Sequence, residues 1–123
     1  MSFQITIDAR EPFKLARFWA AAWPGYAVRP YDQAEIARLA SIGLTPETDT
    51  SVAIDADDQP TLWFQMTEGG TSGRNRIHFD LAFGERNAEA ERLGRLGASV
   101  HDVRHDHIVM LDPEGNRFCL FDP

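Results

Sequence analysis

One pattern occurs twice along this chain, and it limits the available folds more than any single motif does. Phe3-Gln4-Ile5-Thr6-Ile7-Asp8 alternates apolar and polar residues, and Arg76-Ile77-His78-Phe79-Asp80-Leu81 does the same. Such period-2 alternation marks a strand with one buried face. Each stretch is followed by a helical pattern and then by three short strand-like runs. Gln4 through Glu11 lines up with His78 through Glu85, and Gly25-Tyr26-Ala27-Val28 with Gly97-Ala98-Ser99-Val100. Trp63-Phe64-Gln65-Met66 likewise matches Arg117-Phe118-Cys119-Leu120. The chain reads as two copies of strand, helix, strand, strand, strand, with an extra helix in the first. The expected fold class is α+β, in a single domain of two tandem βαβββ modules covering about 1–68 and about 75–123, joined by a linker at about 69–74.

Local signals place the elements. Pro12 sits at the tolerated first position of a helix, and Leu15, Phe18, Trp19 and Ala22 form its apolar stripe before Pro24-Gly25 ends it. Asp32 opens the inserted helix with Glu35 as the capping-box partner. Ile36, Leu39 and Ala40 are its expected inner side, and Gly43 stops it. Ser51–Asp55 and 61–67 read as strands, and the sequence EGGTSG at 68–73 as the linker. In the second copy, 87–96 reads as a helix with Ala90, Leu93 and Leu96 inward, capped by Gly97. Ile108–Leu111 and 118–121 flank Asp112-Pro113-Glu114-Gly115-Asn116, which has the chemistry of a tight turn. That closing hairpin ends in a strand too apolar for an open sheet edge.

Alternation also sorts the faces. With Phe3, Ile5 and Ile7 under the helices, Gln4, Thr6 and Asp8 point to the other side. By the same rule Ile77, Phe79 and Leu81 go under a helix, leaving His78 and Asp80 opposite. In the last strand of each copy, Leu62, Phe64, Met66, Phe118 and Leu120 are the core set. Trp63, Gln65, Thr67, Arg117, Cys119 and Phe121 then face away. That mixture of large and polar side chains suits a concave pocket better than a second core or a solvated face. Trp63, Phe121 and Tyr31 offer stacking surface; Arg117 can clamp an anionic group or pair with Asp8 or Asp80.

Composition removes several alternatives. Formal charge is −7 with no basic stripe, so nucleic acid is not an expected partner. No apolar run is long enough to span a bilayer, so no membrane role is expected either, and the first residues lack a secretory pattern. The single cysteine suits a reducing cytoplasm. No phosphate-binding loop, dinucleotide fingerprint or serine elbow occurs. His105 and His107 share a strand face at period 2 and could both reach the mouth of a pocket, but the polar run from His101 to His107 reads by default as a solvated loop.

The arrangement of DAREPFKLARFWAAAWPGYAV, NRIHFDLAF, RLGASV and DPEGNRFCLF resembles the glyoxalase-like domains of the vicinal oxygen chelate superfamily over nearly the whole chain. The resemblance implies paired βαβββ modules whose mixed sheets curl into a cup with helices outside. It also implies a homodimer, and, in metal-dependent members, a divalent ion held by the first and last strands of each module.

The matching positions here are Gln4, Gln65, His78 and Cys119. Two neutral amides and a thiol make a poor site for Mg²⁺ or Mn²⁺ and an incomplete one for Zn²⁺. The expectation is therefore no cofactor, and a small-molecule ligand bound by Gln4, Thr6, Asp8, Trp63, Gln65, His78, Asp80, Arg117, Cys119 and Phe121. The alternative is a metal-dependent lyase, isomerase or dioxygenase with His78 as acid or base.

Overall fold

A computed structural model describes residues 2–67 and 77–123. The expected linker lies outside the described residues. The fold is mixed α+β and runs β1 (Ser2–Ala9), α1 (Pro12–Ala22), β2 (Ala27–Val28), α2 (Gln33–Ser41), a short 3-10 turn (Pro46–Thr48), β3 (Ser51–Asp55) and β4 (Leu62–Met66). It continues as β5 (Ile77–Ala82), α3 (Arg86–Arg95), β6 (Ser99–Val103), β7 (Ile108–Leu111) and β8 (Arg117–Leu120). The repeated order, with α2 as the insertion, is the one expected from sequence.

Two compact units result. One comprises Thr6–Arg76; the other joins the residues through Ile5 to Ile77–Pro123. β1 is therefore divided between them. In the first unit the strands lie in the order β2-β3-β4-β1, with β3 antiparallel to both β2 and β4. α1 packs on β2, β3 and β4. The core there is Ala16, Leu39, Val52, Ile54, Leu62 and Phe64, all buried. Pro24 restricts the residue before it to extended backbone, so α1 closes at Trp23, whose amide still donates to the Trp19 carbonyl. Asp32 caps α2 by accepting from the Glu35 amide at 2.8 Å, but Glu35 turns to Arg38 instead of closing the box.

In the second unit the order is β1-β5-β8-β7-β6. β8 is parallel to β5 and antiparallel to β7, so the closing strand is interior, as its composition requires. The turn before it is held by Asp112, whose carboxylate accepts from the Glu114 and Asn116 amides at 2.9 Å each. Gly115 takes φ +87°, where a Cβ would clash with its own backbone. α3 packs on β6, β7 and β8. Ile108, Met110 and Leu120 form the core, with Leu81, Ala90, Leu93, Ala98 and Phe118 packed against it.

Several face assignments need correction. Phe18 is 59% exposed, because α1 buries Pro12 and Ala16, a face turned away from the predicted stripe. Ile36 is exposed and only Leu39 of α2 is buried. Met66 and Leu96 are exposed because each stands at the end of its element, past the packed turns. Ile77 and Phe79 were expected under a helix, yet both are exposed, since α3 lies over β6, β7 and β8. Phe79 and Phe83 instead meet the ring of Phe3 at 6.3 and 6.4 Å between centroids.

Candidate functional site

Strand register brings the second unit's candidate residues onto one face. Asp80 pairs with Cys119 across the parallel β5–β8 ladder, and Val109 pairs with Cys119 across β7–β8. One step toward the turn, the same alternation places Arg117 beside His78. One step the other way it places Phe121 between His107 and Ala82. His107 stacks on Phe121 with centroids 5.0 Å apart and planes 22° apart. The face therefore grades from an aromatic end, through a thiol and a carboxylate, to a cationic and imidazole end.

At its centre three groups interlock. His78 Nε2 stands 3.4 Å from Asp80 Oδ1, and Cys119 donates its thiol proton to the same carboxylate. Ligating atoms of His78, Asp80 and Cys119 all lie within 4.8 Å of one another. Burial, then the charge and hydrogen bond of Asp80, push the Cys119 thiol up to about 12, against the opposing charge of Arg117. Cys119 is thus a protonated donor at neutral pH and no nucleophile.

This state has a measurable signature. Alkylation of Cys119 by iodoacetamide at pH 8 should run at least about ten-fold slower than that of free cysteine, and Asp80→Asn should accelerate it by removing the carboxylate. The thiol is raised in the folded state relative to roughly 8.5 when unfolded. Its stabilising contribution is then complete below that value and lost as pH climbs toward about 12. A wild-type rate equal to that of glutathione would refute the arrangement.

The other predicted residues separate by unit. Gln4, His78, Asp80, Arg117, Cys119 and Phe121 belong to the second unit; Thr6, Asp8, Trp63 and Gln65 belong to the first. Thr6 and Asp8 are each 2% exposed. Gln65 pairs with Ser51 across β3–β4 and is exposed. Trp63 lies beneath the Arg29 guanidinium at 5.0 Å.

Sequence reasoning missed two of these partners. His107 was read as solvated, yet counting back by two from Val109 puts it on the Phe121 face; His105 is fully exposed. Arg29 over Trp63 requires the β2–β3 register, which no local signal supplies.

The donor set bears on the metal question raised by the resemblance. Gln4 and Gln65 offer neutral amide oxygens, and Cys119 keeps its proton, hydrogen-bonded to Asp80. These residues do not fit a hard divalent ion.

Residues 4–121 match the model of a family described as the glyoxalase-like domain. No curated protein matches. Among solved structures, a glyoxalase/bleomycin resistance protein/dioxygenase superfamily member from Vibrio splendidus 12B01 aligns with a TM-score of 0.55 at 8% identity, covering 98% of this chain and 97% of that one. A protein titled oxidase ChaP-H2 aligns with a TM-score of 0.36 at 14% identity, covering 96% of this chain and 89% of its own.

Proposed function

Because this chain belongs to the glyoxalase-like domain family, we propose that it binds a small organic molecule on the β5–β8–β7 face without a tightly held metal. The observation that carries this reading is that Asp80 holds the Cys119 thiol in its protonated form and stands 3.4 Å from His78. Asp80 thus engages His78 and Cys119, two of the four positions that metal-dependent relatives would turn toward an ion. What the face offers a ligand is an aromatic platform at His107 and Phe121 and polar groups at Arg117, His78 and Gln4. From Arg117 to Phe121 is four strand residues, roughly 13 Å, enough to orient one elongated ligand end to end. The family resemblance makes a homodimer the expected assembly.

The test is a screen of metal-stripped protein against small organic acids and phenols, read by amide shifts at His78, Cys119 and Phe121. Binding that survives chelation, and that Phe121→Ala weakens at least about ten-fold, is the expected result. Binding that disappears with the trace ions would overturn it.

A second reading rests on the mutual approach of His78, Asp80 and Cys119 within 4.8 Å. A thiophilic ion can displace the Cys119 proton on binding, which would favour a lyase, isomerase or dioxygenase with His78 as acid or base. Elemental analysis of untagged protein separates the two readings. A stoichiometric ion lost in His78→Ala supports the enzyme, and none supports the binder.

A further inference from the structure

We infer that the Thr6–Arg76 unit carries a binding site for an organic monocarboxylate with an apolar body, in the cavity between the N-terminal part of α1 and the 3-10 turn at Pro46–Thr48. The cavity is about 590 Å³, a volume that suits a bicyclic ligand. It opens on the helix side of β4. Met66 lines it, and alternation puts Met66 on the same face as the buried Phe64, opposite Trp63 and Gln65. All its lining residues lie in that unit, and none belongs to the His78 face.

Helix periodicity builds one wall. Phe13 and Arg17 are four residues apart, as are Lys14 and Phe18, so each pair lies side by side along the surface of α1. The wall therefore sets ring beside cation twice over, and Arg10 adds another guanidinium just before the helix starts. Phe18 and Met66, 59% and 46% exposed, border this same hollow. An apolar ligand body seated there takes both side chains out of water, which the fold alone does not do.

Hydrogen-bond capacity sets the ligand's polar end. Asp49, only 6% exposed, accepts from the Tyr31 hydroxyl at 2.8 Å and from the Ser51 amide at 3.2 Å. Thr48 Oγ1 is turned to its own turn and accepts from the Thr45 amide at 2.8 Å. Glu11 stands 3.9 Å from Lys14. The side chains of Arg10 and Arg17, by contrast, make no hydrogen bond or ion pair among the described residues. Arg29, Arg38, Arg86, Arg92 and Arg104 each pair with a carboxylate. A guanidinium offers donors only, so the ligand must bring acceptors, and a carboxylate matches the guanidinium fork.

Charge sets the valence. With Lys14 beside Glu11 and Asp49 held by Tyr31 and Ser51, the uncommitted charges of the lining are Arg10, Arg17 and the exposed Glu47. One carboxylate brings that set to neutrality, whereas a cation would meet both arginines.

Three probes on one bicyclic frame test this: 2-naphthoate (anionic), 2-naphthamide (neutral) and 2-naphthylmethylammonium (cationic), each titrated calorimetrically into the full chain. Naphthoate should bind at least about ten-fold tighter than either of the others and shift the amides of Phe13, Lys14 and Thr48. The double variant Arg10→Gln/Arg17→Gln should weaken naphthoate at least about ten-fold and leave naphthamide unchanged. Both arginines are exposed, so the variant keeps its core. If another probe binds best, no probe binds, or the double variant binds naphthoate as the wild type does, the inference is wrong. It is equally wrong if naphthoate shifts only Trp63 and Gln65, or only His78, Cys119 and Phe121. The last outcome would leave the β5–β8–β7 reading standing, so either site can fail without the other.

Discussion

Phe64→Ala is expected to lower stability by about 3–5 kcal/mol, the largest loss any single truncation in the first unit should cause. Phe64 is 0% exposed and sits among Val52, Ile54, Leu62 and Ala16, all likewise buried. The ring fills the space between β4 and α1, and the site cannot close over the gap. β4 is fixed by its ladder to β3, and α1 is held against the sheet chiefly by packing. Glu11 makes no side-chain cap, and the first turn carries no acidic residue inside the helix. Phe18 and Trp23 lie on the surface and add little anchoring. Guanidinium unfolding followed by tryptophan fluorescence checks this directly, because Trp19 and Trp23 ride on that helix. A loss below about 1 kcal/mol would mean that α1 is held by something other than this packing.

Leu120→Ala should cost about 2–5 kcal/mol and should also impair the candidate site. Leu120 is 1% exposed, pairs with Ile108 across β7–β8, and faces the core while its neighbours Cys119 and Phe121 face the ligand side. A cavity beneath β8 loosens the strand that sets both the Cys119–Asp80 contact and the His107–Phe121 stack. Leu120→Met, which keeps the volume, should cost less than about 1.5 kcal/mol and leave thiol reactivity unchanged. The discriminating measurement is Cys119 alkylation in the alanine variant under conditions where it is still folded. Faster alkylation shows that core packing sets the geometry of the face; an unchanged rate would show that the hydrogen bonds hold it alone.

The elements of this fold were legible in the sequence because their signals are local. Asp32 caps its helix, Gly115 turns its hairpin, and the apolar 118–121 run demanded an interior position, all as expected. Which face of each element is covered was less legible, because that depends on where the helices come to rest. Phe79 alternates as a core residue does, yet α3 covers strands farther along the sheet order and leaves it half exposed. The candidate site shows the same division. His78, Asp80 and Cys119 could be assigned to a face by counting in twos. Bringing Cys119 against Asp80 and His78 needed the parallel β5–β8 register, a contact between distant parts of the chain. Arg29 stayed hidden for the same reason, since its partners are brought to it by β2–β3 and β3–β4 pairing.

The division of β1 has a consequence for synthesis. Residues 6 onward join a unit that is complete once Arg76 has been made, whereas residues 2–5 belong with strands that do not yet exist. At roughly 5–20 residues per second, the first few residues wait roughly 4–15 s for β5. Throughout that interval Phe3 and Ile5 present an unpaired, apolar strand end to whatever lies nearby. Residues 2–5 therefore meet the rest of their own unit only after Ile77–Pro123 has been made. A deletion of residues 2–5 should be felt first in the unit that contains Ile77–Pro123.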